Sequence, residues 1–327
     1  MKEILILFPC DPMTRQRLEA AVGNLARCTF REESWTPEEY RAALGRAHII
    51  IGEPRNEDFA FCTRLELMQS PSSGTNYYVQ GGAFPKDAIL CSMTGRYGPI
   101  IAEHLLALVF ALCRRIPEYR DQQKEGRWKL KLYDKQLSGT TVLILGAGDI
   151  GTTVARWMRP MVGKIIGMRR VERPFPDCYD TMITPEQLDE ALPLADIVIC
   201  ALPHTPQTVG MLNEDRLRRM KGDAILVNAG RGSLIDQEAL CRVLESGHLW
   251  GVGLDVTVPE PLPADHPLWQ LDRVLITPHA AGNSFAMGSP LYHSLWEAMT
   301  ENVCAWLRGE PVKYRTDFAT GYRVTGE

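Results

Sequence analysis

The stretch Thr141-Val142-Leu143-Ile144-Leu145, followed directly by Gly146-Ala147-Gly148-Asp149-Ile150-Gly151, constrains the fold of this chain more than any other. An apolar strand that runs into G-x-G-x-x-G and then into a helical pattern is the first βα turn of a doubly wound parallel sheet. Gly146 allows the tight turn, Gly148 lets the backbone approach a pyrophosphate, and Gly151 lets the helix pack closely. Asp149 and Ile150 lie between them on the same turn, where a helix N-terminus offers unpaired N–H groups to phosphates. Three glycines at this spacing are weak evidence alone. The strand before them, the helix after them and five further strands in order make a dinucleotide-binding turn.

Short apolar runs alternate with amphipathic segments along nearly the whole chain, the pattern of βα units rather than of sandwiches or bundles. Lys2 to Phe8, His48 to Gly52 and Ile89 to Ser92 read as strands, with helices over Thr14 to Val22 and Pro37 to Gly45. From Pro99 to Arg115 the residues Ile100, Ile101, Leu105, Leu108, Val109 and Leu112 recur at helical spacing. Continued past Pro117 toward Trp128, this becomes one long helix bridging two domains. After Ser138-Gly139 six strands follow, at Thr141 to Leu145, Lys164 to Met168, Ile197 to Ala201, Ala224 to Asn228, Gly251 to Asp255 and Val274 to Thr277. Helical patterns lie between them at Gly151 to Pro160, Pro185 to Leu192, Asn213 to Arg219 and Gln237 to Ser246. A last helix covers Ser294 to Gly309, and the polar tail beyond Tyr314 is extended.

The expected fold is α/β, with two Rossmann-like doubly wound domains. Residues 1–98 and 290–327 form a discontinuous, flavodoxin-like substrate-binding domain, and residues 99–289 form the dinucleotide-binding domain. The cleft between two such domains is the default ligand site.

Thirty-six Lys and Arg stand against forty Asp and Glu, a net charge of −4, so there is no basic surplus to hold a nucleic acid. The apolar stretch Ile100 to Leu112 contains Glu103 and His104 and is too short to span a bilayer. Met1 to Phe8 carries an early acid and leads into Pro9-Cys10-Asp11-Pro12, which reads as a first strand rather than a signal peptide. The nine cysteines are odd in number, dispersed and never in C-x-x-C spacing, as expected of reduced thiols in a cytoplasmic protein without a metal cluster.

An NAD-binding sheet of this kind usually ends its second strand with Asp or Glu, an acceptor for the adenosine ribose hydroxyls. Here Ile165-Ile166-Gly167-Met168 leads instead into Arg169-Arg170, eighteen residues after Gly151. Two guanidiniums suit a 2′-phosphate and offer no acceptor to a bare ribose, which favours NADP(H) while leaving NAD(H) open. The plainer alternative is an exposed basic pair on a loop.

Three later blocks each set an ionisable side chain just past an apolar strand. Asn228-Ala229-Gly230-Arg231-Gly232 presents Arg231, Asp255-Val256-Thr257-Val258-Pro259-Glu260-Pro261-Leu262 presents Glu260, and Pro278-His279-Ala280-Ala281-Gly282 presents His279. The carboxyl ends of adjacent strands are where ligands of open α/β sheets bind. Taken singly, each would be a surface charge or a satisfied core residue. In this order, beside a nucleotide turn, they form a candidate catalytic set.

The glycine turn with N-x-x-R-G, D-V-x-x-x-E-P-L and P-H-x-x-G resembles the D-isomer-specific 2-hydroxyacid dehydrogenase family. The resemblance covers essentially the whole chain, since Ser72-Ser73-Gly74-Thr75-Asn76 is similar to that family's substrate loop and Ala102-Glu103-His104 to its interdomain helix. It implies that the N–H groups of Ser73, Gly74 and Thr75 hold the substrate carboxylate, with Asp255 near the nicotinamide carboxamide. It also implies cofactor contacts from Leu202, Pro203, His204, Thr208, Ala229, Gly230, Arg231, His279 and Gly282. A homodimer is implied as well, with Trp128 and Tyr133 on an exchanged arm.

The residue types suit the reduction of a 2-keto acid. Arg231 binds the carboxylate and carbonyl edge while staying charged, and His279 donates the proton. Glu260 orients the imidazole and favours its protonated form. The expected substrate is small, of the glyoxylate or hydroxypyruvate type. A bulkier 2-keto acid, a D-3-phosphoglycerate dehydrogenase-like reaction and an NAD(H)-sensing corepressor-like binding protein are the alternatives. His48, His104, His248, His266 and His293 lack a comparable context and read as structural.

Overall fold

The computed structural model describes residues 1–131, 133–282, 286–319 and 324. The chain divides into two compact units, Met1–Arg96 with Ser284–Glu327, and Tyr97–Asn283.

The first unit holds a parallel sheet of β1 (Lys2–Ile6), β2 (Ala26–Phe30), β3 (Ile49–Ile51), β4 (Leu67–Gln69) and β5 (Ile89–Cys91), in the order β2-β1-β3-β4-β5. This is the flavodoxin-like order. Ile49, Ile50 and Ile51 are all buried, as a central strand covered on both faces requires. Two of these strands escape a reading by hydrophobic pattern. Along the edge strand β2 only Ala26 is buried, and β4 is a three-residue Leu-Met-Gln. The helix Pro12–Val22 begins two residues earlier than its apolar spacing suggests, because the Asp11 carboxylate accepts from the N–H groups of Met13 and Thr14.

The C-terminal helix Pro290–Leu307 belongs to the same unit. Trp296 Nε1 donates to Pro9 O (3.1 Å), the Asp11 N–H donates to Tyr292 Oη (2.9 Å), and Asn302 Nδ2 donates to the buried Gln69 Oε1 (2.6 Å). After it, Arg315 bridges antiparallel to Cys91, so the start of the tail extends along β5.

The second unit is built on β6 (Thr141–Leu145), β7 (Lys164–Met168), β8 (Thr181–Ile183), β9 (Ile197–Cys200), β10 (Ile225–Asn228), β11 (Gly251–Leu254) and β12 (Val274–Ile276). These are seven parallel strands in the order β12-β11-β10-β9-β6-β7-β8, not six. The strand missing from the sequence pattern is β8, three residues with only Ile183 buried, pairing through Ile166↔Thr181. Counted from β6, the order is 3-2-1-4-5-6 with one further parallel strand, and the switch point lies between β6 and β9.

The single long helix expected toward Trp128 is two helices, Gly98–Cys113 and Ile116–Lys124. Pro117 has no N–H, and its ring would meet the carbonyl of Cys113 in a continuous helix. The chain turns at Arg115, in the left-handed region at φ 53°. Trp250 Nε1 takes up the Leu112 carbonyl at the first helix's end (3.0 Å).

Gly151 packs the Asp149–Met158 helix onto β6. A Cβ there would lie 2.2 Å from Gly146 O and 2.9 Å from Ile144 Cγ2. Gly151→Ala is expected to destabilise the protein by about 1–3 kcal/mol, read as a lower urea midpoint at unchanged slope.

Candidate functional site

The loops that follow the strands of the second unit approach one another at backbone distance. Gly146, directly after β6, has φ 107°, and a Cβ there would fall 2.7 Å from Ala201 O. A Cβ on Gly230 would meet Leu202 O at 2.5 Å, and one on Gly232 would meet Thr257 O at 2.2 Å. The buried Asn228 side chain ties the β10 loop to itself, accepting from Gly230 N–H and donating to Arg231 O, both at 2.9 Å.

Gly148 is the N-cap of the Asp149–Met158 helix and has no side chain to occupy its first N–H groups. A Cβ at Gly148 would enter open space, so a pyrophosphate could approach the backbone. The Asp149 carboxylate accepts from Gly98 N–H (2.8 Å), at the start of the neighbouring helix.

Arg169 follows β7 directly. Its Nε and Nη2 are buried and have no hydrogen-bond partner among the described residues. Burial and the charge of Arg173 lower its pKa, against opposing effects of Tyr179 and Glu172. Buried N–H groups without an acceptor are unfavourable, and an anionic ligand would remove that penalty. Arg170 is exposed.

Arg231 Nη1 donates to Gly230 O (2.7 Å). Burial lowers the pKa of this guanidinium, an effect that the Glu260 charge only partly offsets. Glu260 Oε1 accepts from Thr257 N–H in its own loop (3.1 Å), and Oε2 lies 2.8 Å from His279 Nδ1. A carboxylate only accepts, so Nδ1 carries the hydrogen and Nε2 is left for proton exchange. The pair is accessible, His279 being 49% and Glu260 40% exposed in their side chains.

His279 itself stands in the left-handed region at φ 52°. Its N–H donates to the carbonyls of Asp255 (2.8 Å) and Thr277 (3.0 Å). The Asp255 side chain, 1% exposed, accepts from Thr277 Oγ1 (2.6 Å) and from the N–H groups of Ala280 (2.8 Å) and Ala281 (3.0 Å). Its carboxylate thus supports the turn from below. His104, on the Gly98–Cys113 helix, joins the same group with Nε2 2.9 Å from Thr277 Oγ1. Neither Thr277 nor His104 emerges as a site residue from the sequence, where A-E-H is the one signal for the latter.

At the rim of the β9 loop, His204 Nδ1 lies 2.7 Å from Ser233 Oγ. The Thr208 hydroxyl donates to Pro203 O (2.7 Å) and accepts from Thr205 N–H (2.9 Å), shaping the turn after Leu202. A Cβ on Gly282 would meet the Tyr97 ring at ordinary contact distance.

Ser73, Gly74 and Thr75 lie in the first unit. There Thr94 Oγ1 donates to Ser73 O (3.2 Å), and Ser70 Oγ donates to Glu53 Oε1 (2.8 Å) while accepting from Ser72 N–H (3.1 Å). Among the described residues, no helix is long and apolar enough to cross a membrane.

Residues 106–281 match the family model of the D-isomer specific 2-hydroxyacid dehydrogenase NAD binding domain. A human glyoxylate reductase/hydroxypyruvate reductase is 35% identical over 219 residues, 64% of this chain and 64% of that protein, a little under two thirds of its length. The structure of a D-isomer specific 2-hydroxyacid dehydrogenase family protein from Aeromonas salmonicida is similar at TM-score 0.85 and 29% identity, covering 97% of this chain and 99% of that one. A D-isomer specific 2-hydroxyacid dehydrogenase from Xanthobacter autotrophicus, solved with NADPH and MES, is similar at TM-score 0.80 and 26% identity, covering 98% and 99%.

The two carboxylates of the site differ in what they hold up. Glu260→Gln, in a half-exposed pair, is expected to change stability by less than about 1 kcal/mol. Asp255→Ala, which strands two amides and a hydroxyl, is expected to cost at least about 2 kcal/mol in the same denaturation experiment.

Proposed function

This chain belongs to the D-isomer specific 2-hydroxyacid dehydrogenase family, and on that premise we propose that it reduces a small 2-keto acid with NADPH, forming the D-2-hydroxy acid. Membership makes it an oxidoreductase with a nicotinamide dinucleotide cofactor and a small-molecule substrate. The observation that carries the proposal is His279, bound through Nδ1 to Glu260 at 2.8 Å beyond the end of β12.

Arg231 holds the substrate carboxylate and polarises the ketone through its fixed guanidinium fork. NADPH, when bound, supplies the hydride to the carbonyl carbon. His279 gives its Nε2 proton to the oxygen as it becomes an alkoxide, while Glu260 holds the imidazole in place through Nδ1. In the oxidative direction the neutral imidazole takes that proton back through Nε2. One hydride and one proton thus convert the ketone to the alcohol.

NADP(H) is favoured by the two buried, unpartnered nitrogens of Arg169, which suit a 2′-phosphate, and by Arg170 beside it. The glycine turn fits the pyrophosphate, since Gly148 leaves its backbone uncovered. A glyoxylate or hydroxypyruvate substrate is supported by the human relative's name and by the reducing role usual for NADPH. The exposed side chains of Trp128, Leu130 and Tyr133 suit a homodimer contact.

Steady-state reduction of glyoxylate, hydroxypyruvate, pyruvate and a branched 2-keto acid, each with NADH and NADPH, tests the reading. The two smallest substrates with NADPH should give the highest kcat/KM; no turnover on any of them would refute it. Replacing Arg169 and Arg170 by Ala should raise KM for NADPH roughly 10- to 100-fold and leave that for NADH nearly unchanged. Equal losses for both would remove the phosphate role. His279→Asn should lower kcat at least about 100-fold with nucleotide affinity retained, and a near-normal rate would exclude it as the acid.

A further inference from the structure

We infer that His104 is a positioning residue for His279, acting through Thr277 and Asp255 on the turn that presents the imidazole. The inference rests on the reading of His279 as the proton donor. A left-handed backbone at a non-glycine residue is unfavourable and persists only where the surroundings enforce it. At φ 52°, His279 is such a residue.

What enforces the turn is the buried Asp255 carboxylate, which gathers the amides of Ala280 and Ala281 and the hydroxyl of Thr277. The Thr277 hydroxyl has one hydrogen and gives it to Asp255 at 2.6 Å. The 2.9 Å contact between Thr277 Oγ1 and His104 Nε2 therefore has His104 as donor, so Nε2 carries a hydrogen. The same nitrogen lies 3.4 Å from Asp255 Oδ1. His104 thus directs the Thr277 hydrogen toward Asp255 and presents an N–H to a carboxylate that is shielded from water. Among the described residues it is the one basic side chain within ion-pair distance of Asp255.

The His104 side chain comes from the Gly98–Cys113 helix, whereas Asp255, Thr277 and His279 all follow strands. It therefore ties the turn to an element that the sheet connections alone would leave independent. Among the described residues its polar side-chain contacts are to Thr277 and Asp255, so its influence on His279 passes through the shared carboxylate.

The test compares His104→Leu, His104→Gln, Thr277→Val and His279→Asn in the full-length protein by steady-state reduction with NADPH, nucleotide titration and thermal melting. His104→Leu should lower kcat about 10- to 100-fold, with much smaller changes in KM and in NADPH affinity, because misplacing an acid by a fraction of an ångström acts on the chemical step. His104→Gln, which keeps an N–H donor, should recover most of the rate. Thr277→Val should reproduce the loss, and it supplies the answer if His104→Leu does not fold. A normal kcat in His104→Leu or Thr277→Val overturns the inference, as does an equal loss in the Leu and Gln variants, which marks a packing role. If His279→Asn itself keeps a near-normal rate, the reading of His279 as the acid fails first and this inference with it.

Discussion

Close approach between loop backbones at the carboxyl ends of the second sheet is the constraint on which the site depends. Gly146 lies against Ala201 O, Gly230 against Leu202 O and Gly232 against Thr257 O, each closer than any side chain would permit. The loops after β6, β9, β10 and β11 therefore interlock as main chain. Arg231 and Glu260 then project from anchored segments rather than from independent loops. A larger residue at any of these glycines would move a neighbouring loop and the functional group that it carries.

The charged groups divide into two kinds. The Glu260–His279 pair is half exposed, so solvent screens it and it contributes little to stability. Beneath it, Asp255 is buried and saturated with donors, and its role is to hold the backbone of the turn. Arg169 is a third case, a half-buried cation with two buried nitrogens that find no acceptor among the described residues and so suit an anion.

How much was legible follows from what each segment shows of itself. The strands Thr141–Leu145 and Lys164–Met168 have the same bounds in sequence and structure because they are buried, mostly apolar and bounded by turn residues. β2, β4 and β8 are short or half-exposed, and their strand character comes from pairing with a neighbour rather than from their own pattern. The helical spacing of Pro99 to Arg115, continued past Pro117, reads as one helix, although Pro117 itself carries the signal for a break. Glu260 and His279 could be named from their motifs, but the bond between them spans two loops and depends on how both are folded. His104 was hidden for the same reason, since an isolated histidine on an apolar helix shows nothing of the carboxylate it will meet.

The sequence by itself determined the βα alternation, the glycine turn after β6, and which strand ends carry Arg231, Glu260 and His279, because apolar periodicity and glycine placement act within a few residues. Only the tertiary structure decided that Asp255 faces inward onto three donors, that His104 reaches it from a separate helix, and that two nitrogens of Arg169 are buried without a partner. Those facts depend on burial and on contacts across long stretches of chain. A side chain's surroundings are set by the elements that fold around it, and its own neighbours in sequence do not reveal them.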